Sequence, residues 1–202
     1  MPAVGAAAAL TLGAATAGGP GRRLDRRLYR AINRNEGRLA DLSLEGLTEL
    51  GSIWAAGGAA VVLAMRGRRR EALDAFGAAG AMWVAGQLAK RLVNRPRPYD
   101  AVQGRLLIER PRGTSWPSSH PAVVLAFATV AGRDLGLGPA GRVGSAGLAG
   151  VVGYSRVYLG VHYPADVAGG LLLGRAVADA WSRFVSPRLV GPFRAAPGRV
   201  GR

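Results

Sequence analysis

The chain contains no cysteine. Disulfides and thiolate chemistry are therefore excluded, and any metal site would have to be built from histidine or carboxylates. Histidine is nearly as scarce, with His120 and His162 the only two in 202 residues. Lysine occurs once, at Lys90, among 27 basic residues that are otherwise all arginine. A compact ammonium in an arginine-only background marks its position, because the two side chains are not interchangeable. Acidic residues number only 12, which leaves a formal net charge of +15, and aromatics make up 6%. The arginines cluster between apolar runs with little aromatic interleaving, which argues against a nucleic-acid surface.

What is abundant is apolar and small. Hydrophobic residues make up 49% of the chain and glycines number 31. That mixture suits membrane helices whose backbones approach closely, and the length suits one domain. Residues 1–21 carry no charge but are mostly Ala and Gly, so they read as either a marginal first span or a disordered lead-in. Residues 22–45 place Leu24, Leu28, Ile32 and Leu39 among Arg22, Arg26, Arg30 and Arg34, the pattern of an amphipathic interfacial helix.

Residues 46–185 form the expected membrane core. An uncharged run reaches Met65 and is followed at once by Arg66, Arg68, Arg69 and Arg70, a loop that should stay in the cytoplasm. Further apolar runs follow at 72–89, 121–132, 143–154 and 165–184, and residues 186–202 read as a basic disordered tail. The expected fold is an all-α, polytopic membrane helix bundle of five or six spans. Alternation then places residues 90–98, 117–120 and 155–166 together on the outer face of a multi-pass cell-membrane protein.

Those three stretches carry the chemistry. Lys90, Arg97 and Arg156 supply three cations, and arginine can hold two oxygens of a phosphate at once. Ser118 and Ser119 stand where a helix begins, so their hydroxyls and the free amides of the first turn would add neutral donors. His162 precedes Asp166 by four residues, a spacing that pairs the side chains if the segment is helical. The carboxylate could then hold one ring nitrogen protonated and leave the other as a nucleophile, with His120 as general acid. Singly, each feature has an ordinary explanation: Arg-Pro stops helices, Ser caps them, and His-Asp pairs are often structural. Their coincidence on one face of an apolar protein favours the functional reading.

The three stretches resemble the tripartite signature of the type 2 phosphatidic acid phosphatase family. Lys90, six residues, then Arg97-Pro98 resembles its first part. Pro117-Ser118-Ser119-His120 resembles the second, where Ser119 replaces a usual glycine. Ser155-Arg156, five residues, His162, three residues, Asp166 resembles the third. The resemblance covers about residues 46–182 and implies a helical membrane enzyme that hydrolyses lipid phosphate monoesters or diphosphates without metal or other cofactor. It implies His162 as nucleophile, Asp166 as its partner and His120 as acid, with Lys90, Arg97, Ser118, Ser119 and Arg156 on the phosphate. Two alternatives accompany it: a non-catalytic lipid-phosphate-binding membrane protein, and a phosphatase of the same superfamily acting on small phosphate esters. The expected partners are a lipid phosphate and the bilayer, not nucleic acid, and no feature of the sequence bears on oligomeric state.

Overall fold

Apolar runs separated by Arg-rich and Pro-containing turns fold as helices. The computed structural model describes residues 2–190, and among these it contains ten α-helices and no strand. The longer helices are α1 (Pro2–Ala17), α4 (Ile53–Met65), α5 (Arg69–Leu92), α7 (Ser119–Asp134), α8 (Gly138–Tyr158) and α9 (Pro164–Phe184). The shorter ones are α2 (Arg22–Ile32), α3 (Arg38–Thr48), α6 (Pro98–Ala101) and α10 (Ser186–Val190).

Helix α7 is central and packs against α5, α8 and α9, while α1 lies on α9 and α4 on α5. Small side chains make this possible. Ala75, Ala78, Ala79 and Met82 of α5 meet Ala122, Val123, Ala126 and Val130 of α7 in one buried cluster. On α9, a Cβ added to Gly174 would come within 2.7 Å of the Ala122 carbonyl oxygen, so glycine sets the approach of α9 to α7. Many large apolar side chains point the other way: Trp54, Met65, Leu73, Leu88 and Val143 are all exposed.

The structure corrects several expectations. Residues 22–45 do not form one amphipathic helix, because the chain breaks at 33–37 between α2 and α3. Asn33 leaves α2 to donate to the carbonyls of Arg105 (2.9 Å) and Tyr158 (2.6 Å), and Gly37 adopts a φ of 96°. The run ending at Met65 is likewise broken. A 3-10 turn at Glu49–Gly51 precedes α4, whose start is capped by Ser52 Oγ accepting the Ala55 amide at 3.0 Å.

No single helix among the described residues is long and apolar enough to cross a membrane, so the expected count of five or six spans does not follow from helix length. Glycine, alanine and interior charges such as Arg175 and Asp179 dilute each apolar window. Two bent pairs do pass together on length and composition, α1 with α2 (88°) and Arg38–Gly51 with α4 (67°). Residues 2–17 are helical and lie on α9. The expected tail begins with α10, and residues 191–202 lie outside the described residues.

The bundle has two chemically distinct ends. Asp74 and Lys90 sit on α5 sixteen residues apart, about 24 Å at the helical rise. At the Asp74 end, Arg133 donates to Asp74 (2.6 Å), Asp134 (2.5 Å) and Ser186 (2.6 Å), and Trp181 donates to Asp74 at 2.8 Å. This polar knot fastens α5, α7, α9 and α10. The Lys90 end gathers the three motif stretches.

Candidate active site

Prolines fix where each contributing helix starts or stops. Helix α5 ends at Leu92, just ahead of Arg95-Pro96 and Arg97-Pro98, since a residue before proline disfavours helical geometry. Lys90 therefore lies in its last turn and Arg97 caps the short α6. Ser119 and His120 open α7, Arg156 lies in the last turn of α8, and His162 sits in the link before α9. Lys90, Arg97, Ser119, His120, Arg156 and His162 all line one cavity of about 380 Å³.

The cations are held by neutral groups, not by carboxylates. Arg97 is buried and donates to the carbonyls of Gly113 (3.0 Å), Val161 (3.0 Å) and Arg112 (3.4 Å). Lys90 donates to the Thr114 carbonyl at 3.1 Å, and Arg156 donates to Thr48 Oγ1 at 3.0 Å. Buried Nε of Arg156 and Oγ of Ser119 have no partner. Buried polar groups are nearly always paired, so these unspent donors in a cationic cavity suit an oxyanion.

His162 is 2% exposed, and its Nε2 stands 3.3 Å from Nη1 of Arg97. Burial first, and then the nearby Arg97, Arg156 and Lys90 charges and His120, hold its imidazole well below the usual histidine range. Asp166 does lie beside His162, but not across a helical turn. Pro164 occupies the first position of α9, so His162 precedes the helix and Tyr163 is its cap. Asp166 Oδ2 accepts the Tyr163 amide at 2.8 Å and lies 3.7 Å from His162 Nδ1, which has no hydrogen-bond partner.

Asp166 and Ser118 are fully buried and neither lines the cavity. The Ser118 amide donates to the Asp166 carbonyl at 3.0 Å, and its hydroxyl has no partner. Of the expected phosphate ligands, Lys90, Arg97, Ser119 and Arg156 thus face the cavity and Ser118 stands behind its wall.

Several lining residues escaped the sequence reading: Glu49, Trp54, Trp83, Gln87 and Arg112. Trp83 and Gln87 were recoverable, because they precede Lys90 by seven and three residues and share its helix face. Glu49 and Trp54 flank the break between α3 and α4, which the apolar pattern conceals. Beside the cavity runs an apolar groove of about 700 Å³ between α4, α7 and α8, lined by Leu50, Val62, Val124, Phe127 and Leu148. It begins next to the cavity residues Gly51 and Val123. Gly51 lets the 3-10 turn pack closely on the start of α7, since a Cβ there would stand 2.7 Å from Cβ of His120.

Known proteins share both the sequence and the architecture. A family model described as the PAP2 superfamily matches residues 71–189. A decaprenylphosphoryl-5-phosphoribose phosphatase of Mycobacterium tuberculosis is 40% identical over 115 residues, 57% of this chain and 62% of that protein. An undecaprenyl-diphosphatase of Sulfolobus acidocaldarius is 34% identical over 116 residues, 55% of this chain and 52% of that protein. The chain thus covers less than two thirds of either relative. Among solved structures, a transmembrane PAP2 type phosphatidylglycerolphosphate phosphatase from Bacillus subtilis superposes with a TM-score of 0.76 at 23% identity, covering 96% of this chain and 98% of its own. LpxE of Aquifex aeolicus superposes with a TM-score of 0.68 at 27% identity, covering 78% of this chain and 94% of its own.

Proposed function

Because the chain belongs to the PAP2 superfamily, we propose that it is an integral membrane phosphatase that hydrolyses a lipid phosphate monoester or diphosphate through a phosphohistidine. One observation carries this reading: three cations and two imidazoles from separate segments meet in one cavity that abuts an apolar groove. The cavity suits a phosphate and the groove suits a hydrocarbon tail. The exposed large side chains on the flanks, with mainly alanine and valine between α5 and α7, are the distribution expected of a bundle whose surroundings are lipid.

In the proposed reaction, Arg97, Lys90 and Arg156 bind the non-bridging phosphate oxygens, with the Ser119 hydroxyl and the first amides of α7 as neutral donors. Arg97 then turns from His162 Nε2 to the phosphate, which frees that nitrogen to attack phosphorus. Burial and then the Arg156, Lys90 and Arg97 charges hold His120 down at about 3, and the negative charge of the incoming phosphate offsets those cations so that His120 takes up a proton. The N–P bond forms as the P–O bond to the lipid breaks, and His120 gives that proton to the departing oxygen. Water next attacks phosphorus, the N–P bond breaks, and the proton lost by water returns to His120. Asp166 serves from behind the wall, through its charge on His162. The charge stabilisation in this scheme comes from these side chains and from the first amides of α7.

The two curated relatives are named for polyprenyl-linked phosphates, so a polyprenyl diphosphate is the first substrate to try. The protein is proposed to be multi-pass, with its site on the outer face. The test is phosphate release by purified protein in detergent from polyprenyl diphosphate, polyprenyl phosphate, phosphatidic acid, phosphatidylglycerophosphate and p-nitrophenyl phosphate. Cleavage of lipids in preference to the small ester is expected. Preference for the small ester would favour the soluble-substrate alternative, and tight binding without release would favour a non-catalytic lipid-phosphate binder.

A further inference from the structure

Asp25 lies on α2, outside the segment that the family model matches, yet it is 4% exposed. Its partner is Arg95, itself 2% exposed, whose Nη2 donates to Asp25 Oδ2 at 2.5 Å. Nη1 of the same guanidinium donates to Asp166 Oδ1 at 2.7 Å and meets Thr16 Oγ1 at 3.4 Å. The guanidinium carbon stands 4.1 Å over the ring of Tyr163. Asp25 Oδ1 also accepts the Ala165 amide at 2.9 Å, in the first turn of α9. One fork therefore bridges a carboxylate from the N-terminal segment and the carboxylate behind the cavity.

The charges around this cluster decide what the bridge does. Asp166 faces Arg95, Ser115 Oγ at 2.5 Å, the Tyr163 amide and His162, while His162 in turn faces Arg97, Arg156, Lys90 and His120. Were Arg95 to serve Asp166 alone, the pair would be neutral and would exert little field on the imidazole. Sharing one cation between two buried anions leaves a net charge of −1 on the three bridged groups, with Arg22 and Arg26 of α2 farther out beside Arg95 and Tyr163, and Asp166 is the member that faces His162 from the side opposite the cationic cavity. In a buried site such a charge acts with far less screening than in water. It favours a ring that gains positive charge as Nε2 attacks.

We propose that Asp25 and Arg95 are positioning residues that set the charge and orientation of Asp166, and through it of His162, so that helix α2 completes the active site. The inference rests on the phosphatase reading above. It makes the basic N-terminal segment part of the reaction machinery and not only a surface anchor. Arginine is required because a lysine ammonium keeps the charge but lacks the planar fork that reaches both carboxylates.

The test uses full-length protein in detergent with polyprenyl diphosphate, comparing wild type, Asp25→Asn, Asp25→Glu, Arg95→Lys and His162→Ala. Asp25→Asn keeps an oxygen for the Ala165 amide but removes the charge. It should lower kcat at least about tenfold with KM within about twofold, and move the acid limb of kcat/KM to lower pH as His162 becomes less basic. Asp25→Glu should recover most of the loss. Arg95→Lys should also lose at least about tenfold in kcat, and it decides the matter should Asp25→Asn not fold. Wild-type kcat and an unmoved pH profile in Asp25→Asn, or wild-type kcat in Arg95→Lys, would overturn the inference while an inactive His162→Ala leaves the phosphatase reading standing. Wild-type protein that releases no phosphate from any lipid overturns that reading, and this inference with it.

Discussion

Nε2 of His162 lies 3.3 Å from Nη1 of Arg97, while Nδ1 of the same ring stands 3.7 Å from Oδ2 of Asp166 and has no hydrogen-bond partner. The nitrogen proposed to attack is thus covered by the very cation proposed to bind the phosphate. Substrate arrival would exchange one contact for the other and expose the nucleophile only when there is something to attack.

Division of labour between the two histidines follows from this arrangement. His162→Ala should abolish turnover, by at least about a thousandfold, together with any phosphoenzyme trapped by rapid acid quench. His120→Ala should cost about 10²–10⁴-fold and should cost least for substrates with good leaving groups, which need no proton. Residual turnover near wild type in His162→Ala would remove His162 from the nucleophile role.

The acid limb of the pH profile gives a second check. His162 sits well below the usual value of about 6.5, through burial and then the surrounding cations, so it stays neutral and nucleophilic as the pH falls through the range where a free histidine protonates. The acid limb of kcat/KM assigned to it should accordingly lie well below pH 6.5. Stability carries the matching sign. Below about 6.5 the unfolded chain takes up a proton at this position that the folded chain refuses, so stability falls as the pH drops. His120, held down at about 3 by the same causes, adds a slope of the same sign, so His162→Ala should make that part of the pH–stability curve shallower, measured by thermal melting in detergent.

Much of this site could be read from residue types, and what could not has physical causes. Lys90, Arg97, His120, Arg156 and His162 stood out because scarce residues and Arg-Pro steps mark helix ends, and the structure brings all five to one cavity. The spacing did bring His162 and Asp166 within 3.7 Å, but not across a helical turn, because α9 starts only at Pro164. Spacing in sequence sees only neighbours along the chain. It could not reveal that Arg95 would turn from the cavity to join Asp25 with Asp166 across 70 and 71 residues of sequence. The break between α3 and α4 was equally hidden, since residues 50–65 are uniformly uncharged and the turn depends on Gly51 meeting His120.

Removal of divalent cations should leave turnover unchanged. Three side-chain cations already line the cavity proposed for the phosphate, and Asp166, the carboxylate of the third motif, is taken up by Arg95, Ser115 and the Tyr163 amide. A hard divalent ion normally needs more oxygen ligands than that carboxylate and Glu49, which also lines the cavity, together offer. Phosphate release assayed after exhaustive EDTA treatment and dialysis checks this. Activity that disappears and returns with magnesium would contradict the scheme.

Orientation is the prediction with the widest consequences, because it decides which lipid pool the site can reach. The loop of residues 102–118 and helices α2 and α3 lie at the cavity end: Asn33 bonds to Arg105 and Tyr158, and Arg105 donates to Asp41 at 2.7 Å. Arg66 to Arg70, Arg133 and Arg188 belong to the other end, where the Asp74 knot sits. Basic loops favour the cytoplasm, which places the cavity outside. The arginines of α2 then oppose that bias, a conflict relieved if α2 lies along the outer leaflet with its arginines on anionic headgroups. The absence of native cysteine makes the test clean. Gly104 is unsuitable for a reporter, since any side chain there would meet Tyr29 and Asn33, whereas Arg69, Arg110 and Arg188 are exposed. With single cysteines at these three positions and an impermeant thiol reagent on intact cells, Arg110→Cys should be labelled and Arg69→Cys and Arg188→Cys should be labelled only after the membrane is opened. The opposite pattern would place the cavity, and the phosphate it releases, on the cytoplasmic side.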